Sequence, residues 1–343
     1  MRAAVAGEVE IESDKMMKTG DVVEDSSSEI MICANCGVTA GGDIKLKKCN
    51  GCYLVKYCGV DCQREHRPIH KEACKKRAAE LRDEILFKQP ESSHHGDCPI
   101  CCYPLPLDSK QSTMMPCCCK LICEGCDYAD KNREVERILR ERNLQNREMN
   151  LRRTCLFCRS IVPSGPEDCM IHLAKRVKAN DPYALCQMGG LLQGQGDYKN
   201  AYKYWTKAAE LGNITAHYYL ALLYRLGHGV ERNKKQEFHH LTEAAIGGHP
   251  EARHNLGTLE SERGMHERAV KHYIIAAKLG CDESLKSVKY LCKVGRVSKD
   301  DFAAAIRDHQ AAIDATKSPQ REAGAKFARQ EAEWHRRGIL PRR

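Results

Sequence analysis

The chain has 343 residues, a formal net charge of +9 and 21 cysteines, far more cysteine than ordinary core packing uses. No run of about 18 apolar residues offers a membrane span, and the acidic residues 1–30 lack the apolar core of a secretory signal. We therefore expect a cytoplasmic or nuclear protein, in which disulfides are rare and cysteines bind metal. If fifteen cysteines bind four zinc ions as thiolates, the formal charge falls to about +2, which weakens the electrostatic case for a nucleic-acid partner.

The first 30 residues are polar and acidic, and Ser26, Ser27 and Ser28 form a short serine run. Such a segment has too little apolar surface to offset the entropy lost on ordering the chain. We therefore predict a disordered leader over residues 1–30.

Residues 31–76 carry the first group of metal ligands. Structural zinc takes four thiolate or imidazole ligands, and a two-residue spacing lets both cysteines of a pair reach one ion. His70 and Cys74 lie four residues apart, so on a helix they share one face and can converge on one ion. His66 is an alternative ligand, because it is four residues from both Cys62 and His70. The ligands favoured for two zinc ions are Cys33, Cys36, Cys49, Cys52, Cys58, Cys62, His70 and Cys74.

This order of spacings, with Lys56-Tyr57-Cys58 and His70-Lys71, resembles the MYND-type zinc finger. The resemblance implies two interleaved sites, in which alternate ligand pairs share an ion. One ion would be held by Cys33, Cys36, Cys58 and Cys62. The other would be held by Cys49, Cys52, His70 and Cys74. It also implies a groove for short proline-containing peptides, although Arg67 stands where the family often has tryptophan; nothing here resembles a methyltransferase domain.

Residues 77–96 predict a helical linker. The stretch from Lys75 to Lys88 is charged and helix-forming, and Pro90 and Ser92 mark its end.

Residues 97–160 carry a second group of four ligand pairs, interrupted by a predicted helical insertion over 127–153. Glu136 and Arg140 lie four residues apart in that insertion, which is typical of an exposed helix. Three adjacent cysteines supply the second pair, and two are needed: we favour Cys117 and Cys119, with Cys118 as the alternative. The other ligands are Cys98, Cys101, Cys123, Cys126, Cys155 and Cys158.

This pattern resembles a RING finger that lacks the usual histidine. The resemblance implies that the first and third pairs, Cys98 with Cys101 and Cys123 with Cys126, share one ion. The second and fourth pairs would share the other. It also implies a surface that recruits a ubiquitin-conjugating enzyme, made of Ile100, Leu156, Phe157 and Arg159. The alternative is that Ile100 and Phe157 fill a small core and that Arg159 is simply solvated.

Residues 170–315 are repetitive. Ala208-Ala209-Glu210-Leu211-Gly212 recurs, in related form, at Ala244 and again at Ala276, each time ending in glycine. Apolar residues keep a three-to-four-residue spacing between these motifs, so each unit predicts two helices that pack on their neighbours. Such helix pairs stack into an α-solenoid.

The motifs resemble the Sel-one-like branch of the tetratricopeptide superfamily, over about residues 181–315. That family implies a protein-binding scaffold without chemistry of its own. Residues 316–343 read as a charged tail, either a solvated helix or a docking segment.

The predicted fold is therefore multidomain: two small, zinc-stabilised, cross-braced modules followed by an all-α solenoid of helix-pair repeats. We expect four zinc ions, no catalytic residue, and protein or peptide partners for the MYND-type finger and the repeats. One hypothesis is a RING-type ubiquitin ligase that binds a ubiquitin-conjugating enzyme through residues 97–160. The alternative is a non-enzymatic adaptor with three protein-binding surfaces. Nucleic-acid binding rests only on the basic balance and on clusters such as Lys75-Lys76-Arg77.

Overall fold

The computed structural model describes residues 32–142, 154–163 and 165–337. The chain divides into two compact units, Met1–Leu81 and Arg82–Arg343. Several predicted segments lie wholly or partly outside the described residues: the leader 1–30, residues 143–153 of the insertion and residues 338–343 of the tail. Among the helices that are described, none is long and apolar enough to cross a membrane.

The first unit is built around cysteine. Strand β1 (Lys47–Lys48) pairs antiparallel with β2 (Lys56–Tyr57). Helix α1 (Val60–Leu86) follows, and its last turn already belongs to the second unit. The buried core cluster consists of Cys33, Cys49, Cys52 and Tyr57. Because so small a core cannot offset the entropy of folding, the unit needs cross-linking by metal.

The second unit opens with another cysteine-rich module. A short 3₁₀ helix (Ser109–Gln111) leads into a hairpin of β3 (Ser112–Met114) and β4 (Leu121–Cys123). Helix α2 (Glu124–Arg142) begins directly after the hairpin, three residues before the predicted insertion. The buried core of this module combines four cysteines with three apolar side chains: Cys98, Cys123, Cys126, Cys155, Leu105, Met115 and Ile122.

The rest of the second unit is helical in its described residues. Its helices are α3 (Pro166–Lys178), α4 (Pro182–Gly194), α5 (Tyr198–Glu210), α6 (Ile214–Leu226), α7 (Lys234–Ile246), α8 (Pro250–Glu262), α9 (His266–Lys278), α10 (Asp282–Lys293), α11 (Lys299–Ala315) and α12 (Pro319–Arg336). The helices from α4 to α9 pack as three successive pairs, and each pair packs on the next. This arrangement confirms the predicted fold class.

The repeat helices begin and end at residues that the sequence provides for the purpose. The side chains of Asp181 and Asn213 accept hydrogen bonds from backbone amides of the first turns of α4 and α6. The glycines that close the repeated motif, Gly212, Gly248 and Gly280, have φ of 86°, 83° and 91°. Only glycine adopts that conformation at no steric cost, so these positions fix where each helix pair ends.

The last turn of α1 is held against the repeats by two arginines, one of them fully buried. The fully buried Arg253 donates to the carbonyl oxygens of Leu86 (2.7 Å) and Ala245 (2.5 Å). Arg268 pairs with Asp83, and its guanidinium lies 4.8 Å from the ring centroid of Phe87, the residue that directly follows α1. The segment that enters the second cysteine-rich module is therefore anchored on the solenoid.

Candidate zinc centres

The structure brings sixteen cysteine and histidine side chains into four groups of four. Within each group the ligand atoms lie within 4.8 Å of one another. We number the groups in chain order, and none of the four is formed from consecutive ligand pairs. Centre 1 is Cys33, Cys36, Cys58 and Cys62. Centre 2 is Cys49, Cys52, His70 and Cys74. Centre 3 is Cys98, Cys101, Cys123 and Cys126. Centre 4 is Cys117, Cys118, Cys155 and Cys158.

The spacing of the sulfur atoms fits tetrahedral zinc. Sulfurs bound at about 2.3 Å around a tetrahedral ion are about 3.8 Å apart. The Sγ atoms of Cys49 and Cys74 are 3.8 Å apart, and those of Cys101 and Cys123 are also 3.8 Å apart. In centre 4 the Sγ atoms of Cys118 and Cys155 are separated by 3.7 Å. All four donor sets therefore suit zinc, and the prediction of four zinc ions is confirmed.

A shared backbone turn positions the paired cysteines. In the pair that begins at Cys98, the amide of Cys102 donates to the carbonyl of Cys98 (2.8 Å), whose own amide donates to the carbonyl of Tyr103 (2.9 Å). The pair that begins at Cys155 repeats both bonds. The residue after the second ligand has positive φ, 56° at Cys102 and 60° at Arg159. In this turn, the second ligand is therefore always followed by one non-ligand residue in the left-handed conformation.

The same turn corrects the predicted choice within the run of three cysteines. The amide of Cys119 donates to the carbonyl of Met115 (2.8 Å), and the amide of Met115 donates to the carbonyl of Lys120 (2.9 Å). Cys119 thus occupies the left-handed position, with φ of 55°. Cys118 occupies the position of the second ligand and joins Cys117 in centre 4. The structure therefore places the alternative, Cys118, in centre 4 and leaves the predicted Cys119 outside it.

Cys119 instead belongs to the apolar contact between this module and the start of the solenoid. It is buried in a cluster with Leu173 and Ala184. Burial, together with the nearby carboxylate of Asp181, raises the pKa of Cys119 to about 11. A neutral thiol packed in this way behaves as a small hydrophobic side chain and not as a metal ligand.

The histidine that the structure places in centre 2 is His70, and the alternative His66 lies outside that group. His70 Nε2 lies 3.2 Å from Cys52 Sγ, and burial lowers the pKa of His70. The neutral imidazole can therefore offer its lone pair to a metal. His66 stacks on His70, with ring centroids 5.6 Å apart, and its Nδ1 lies 3.0 Å from the hydroxyl of Tyr57. His66 thus supports the ligand and does not replace it.

Local hydrogen bonds favour the thiolate form of one ligand in centre 1 and one in centre 4. Burial opposes ionisation of Cys33, but hydrogen bonds from backbone amides, led by that of Cys36, lower its pKa to about 6. At Cys158, burial is likewise outweighed by the hydroxyl and amide of Ser160, and the pKa is about 6. Zinc binds the thiolate form of cysteine. Centres 1 and 4 therefore each contain one ligand that is already ionised at neutral pH.

The four residues predicted to contact a conjugating enzyme differ in exposure. Ile100 is 38% exposed, and Arg159 is exposed in the left-handed position described above. Leu156 and Phe157 are half-buried, and Phe157 packs against the cysteine core of its module. Phe157 therefore has at least the structural role that was the alternative, while the recruiting role of all four residues stays a prediction.

Comparison with known proteins assigns two parts of the chain. Residues 33–74 match the family model of the MYND finger. Residues 182–213, 214–249 and 250–281 each match the Sel1 repeat. The matched ranges contain centres 1 and 2 and the three helix pairs from α4 to α9, so both resemblances are confirmed.

Individual relatives match over part of their length. Chitin synthase regulatory factor 2 of Schizosaccharomyces pombe is 32% identical over 76 residues, which is 22% of this chain and 15% of that protein. A Sel1 repeat protein from Oxalobacter formigenes aligns at 29% identity, with 45% of this chain and 66% of that chain covered (TM-score 0.39). The antigen c5321 of uropathogenic Escherichia coli, which has an SLR fold, aligns at 26% identity over 43% and 34% (TM-score 0.38).

Proposed function

We propose that the protein is a zinc-dependent interaction adaptor of the cytoplasm or nucleus, which joins partner proteins through its MYND finger and its Sel1 repeats. MYND fingers and Sel1 repeats are both protein-interaction modules. The observation that carries the proposal is the closure of the zinc centres. Each has four protein ligands within 4.8 Å of one another. A zinc ion with four protein ligands has no position for water, so it stabilises a binding surface and does not activate a nucleophile.

Binding of short proline-containing peptides to the intact chain tests this proposal. Fluorescence polarisation with a peptide library would compare the zinc-loaded protein with Cys52→Ala, which removes a ligand of centre 2. Cys169→Ala is the matched control, because Cys169 lies outside all four centres. We expect micromolar binding that Cys52→Ala abolishes and Cys169→Ala preserves. An absence of binding to every peptide, or equal binding by all three proteins, would contradict an adaptor role for the finger.

A ubiquitin ligase is the second candidate, and the exposure of Ile100 and Arg159 favours it. In this proposal the side chains of the second cysteine-rich module bind a ubiquitin-conjugating enzyme. Arg159 would donate hydrogen bonds to that enzyme and to ubiquitin, holding the thioester in a reactive conformation without forming a covalent bond to this chain.

Discharge of ubiquitin from a charged conjugating enzyme onto free lysine tests the ligase. Arg159→Ala leaves a residue with a Cβ in the left-handed position and removes the side chain beyond it, including the guanidinium, so the zinc centre should persist. Arg133→Ala, an exposed arginine on α2, is the control. The proposal requires that the wild-type chain accelerates discharge and that Arg159→Ala loses most of this acceleration. If no conjugating enzyme showed faster discharge, the ligase proposal would be contradicted and the adaptor proposal would remain.

A further inference from the structure

Helix α12 lies directly against the second cysteine-rich module. Its Gly324 crosses Gly125 at the start of α2 so closely that a Cβ on Gly324 would be 3.0 Å from the Cα of Gly125. The rings of Phe327 and Tyr128 pack beside this crossing, with centroids 5.1 Å apart. The contact brings a segment about 195 residues away in sequence onto the helix that carries Cys126.

Two side chains of α12 reach the sulfur atoms of centre 3. An Nη atom of Arg321 donates to the Sγ of Cys101 at 3.4 Å, and Nε2 of Gln320 donates to the Sγ of Cys126 at 3.5 Å. The amide of Gln320 also donates to the carbonyl of Gly125 at 3.0 Å. Both side chains are therefore fixed by the contact and aimed at the ligands.

The guanidinium of Arg321 is buried without a carboxylate partner among the described residues, so a nearby negative charge would stabilise it. It is 8% exposed, and its other hydrogen bonds go to the carbonyl oxygens of Tyr103, Pro104 and Thr316. No carboxylate is among its hydrogen-bond partners in the described part of the chain. A buried guanidinium without an anion is costly. Four thiolates around a divalent zinc ion leave a net charge of −2, and centre 3 can therefore balance Arg321.

We propose that Arg321 and Gln320 are positioning residues for centre 3, so that the C-terminal helix controls how firmly this centre holds zinc. Hydrogen bonds from N–H groups withdraw electron density from a zinc-bound thiolate, which slows its protonation and its reaction with electrophiles. Centre 3 then becomes less reactive than centre 4, whose Cys158 is exposed. Metal retention in this module depends on a helix outside it.

Differential alkylation of the zinc-loaded full chain tests this. N-ethylmaleimide labelling, resolved by mass spectrometry, reports each cysteine separately, and transfer of zinc to a chromogenic chelator reports the metal. The variants are Arg321→Ala, Arg321→Lys and Gln320→Ala. Arg329→Ala is the matched control, because Arg329 is an exposed arginine of the same helix. Gly324→Val serves as a second route, since it forces α12 away from α2.

We expect Arg321→Ala to speed labelling of the four cysteines of centre 3 by roughly tenfold, the lower end of the effect of groups that hold metal ligands. One of the four zinc ions should transfer faster to the same extent. Gln320→Ala should act in the same direction more weakly, Arg321→Lys should lie between wild type and Arg321→Ala, and Gly324→Val should match Arg321→Ala. Centres 1, 2 and 4 and the Arg329→Ala control should not change.

Absorption spectroscopy distinguishes hydrogen bonding of Arg321 to the zinc ligands from a role in packing alone. In the cobalt-substituted chain, loss of hydrogen bonds to sulfur should move the thiolate-to-cobalt charge-transfer absorption of one centre in four to lower energy. The proposal is overturned if Arg321→Ala leaves both labelling and absorption unchanged, or if it accelerates all four centres equally. Should Arg321→Ala fail to fold, Gln320→Ala and Arg321→Lys must show the same selectivity for centre 3, and equal labelling of all centres there overturns it as well.

Discussion

In the turns that end at Cys102, Cys119 and Arg159, the left-handed residue determines which neighbouring cysteine can bind metal. Non-glycine residues in this conformation cost roughly 1–2 kcal/mol each. Cys102, Cys119 and Arg159 nevertheless adopt it, while Gly37 does so in the first pair with φ of 72°. Because the two backbone hydrogen bonds of the turn define this position, the ligand set cannot shift by one residue without breaking them.

Replacing single members of the cysteine run tests that register. We expect Cys118→Ala to retain three zinc ions per chain, because centre 4 loses a ligand that Cys119 cannot supply from its buried position. Cys119→Ala should retain four and cost about 1 kcal/mol of stability through lost packing. Native mass spectrometry counts the zinc, and thermal unfolding measures the stability. Four zinc ions in Cys118→Ala and three in Cys119→Ala would contradict the assignment.

A histidine pair in the repeats gives the chain a pH dependence of its own. The Nδ1 atoms of His217 and His240 are 3.0 Å apart and share one hydrogen bond. Burial lowers the pKa of His217 to about 4, and burial together with the neighbouring His217 and His239 lowers the pKa of His240 to about 3. Both rings are therefore neutral in the folded protein at any pH near neutrality.

Lowering the pH should destabilise the repeats through this pair. In the unfolded chain each histidine binds a proton below about pH 6.5, while the folded pair does not until the pH approaches 4. The free energy of unfolding is therefore unaffected above pH 7 and should fall by about 1 kcal/mol per histidine between pH 7 and pH 5.5. Urea unfolding of the wild type and of the double variant His217→Gln/His240→Gln, with zinc content checked at each pH, measures the difference.

The control for this experiment is His228→Gln, which changes an exposed histidine of the same repeat. It should leave the pH profile unchanged, whereas the double variant should reduce its slope. An unchanged slope in the double variant would show that the pair is not the source of the pH dependence.

Within each helix pair, a large side chain on the second helix faces a small residue on the first. The larger that side chain is, the smaller the residue opposite it has to be. Trp205 of α5 is fully buried and lies so close to Gly189 that a Cβ there would be 2.5 Å from the indole nitrogen. Gly257 has Tyr273 as the equivalent neighbour, at 3.1 Å. In the repeat between them, the smaller Leu241 packs in one cluster with Ala221. Helix separation within a pair is therefore adjusted residue by residue.

Two neighbouring glycines of α4 should respond in opposite directions to the same change. Gly189→Ala should lower the free energy of unfolding by about 2–3 kcal/mol, because the new methyl group overlaps the buried indole ring. Gly190→Ala should raise it by about 0.5–1 kcal/mol, since nothing lies within 4 Å and alanine favours the helix. Thermal and urea unfolding measure both. Equal effects of the two substitutions would contradict the close packing of Trp205.

Whether a feature could be predicted from the sequence depends on how far apart in the chain the interacting residues lie. The repeated Ala-Ala motifs predicted the helix pairs correctly, because helix period, capping and the terminal glycine are local. The choice between Cys118 and Cys119 failed because spacing alone does not show the register of a turn within three adjacent cysteines. The contact of Arg321 with centre 3 has no sequence pattern, because it joins segments about 220 residues apart.

Over the whole molecule, two kinds of core contribute to stability. The buried clusters of the first unit and of the second cysteine-rich module are largely cysteine ligands, so they exist only with metal. The clusters around Trp205 and around Leu241 consist of apolar residues and contain none of the sixteen ligands. Burial of apolar surface stabilises these helices without zinc. The packing of helix α12 depends on the metal-dependent core, since the main partner of α12 is α2.

Removal of zinc should therefore unfold part of the chain and leave the central repeats folded. After chelation under reducing conditions, hydrogen exchange should become fast over residues 98–142 and over α12, which loses the helix it packs against. Protection within α5 to α9 should stay within about threefold of the zinc-loaded value, because its core does not depend on metal. Mass spectrometry of peptides measures this, and re-addition of zinc should restore α2 and α12 together. If protection of the repeats collapsed along with the cysteine modules, or if α12 stayed protected, the division into a metal-dependent and a metal-independent core would be wrong.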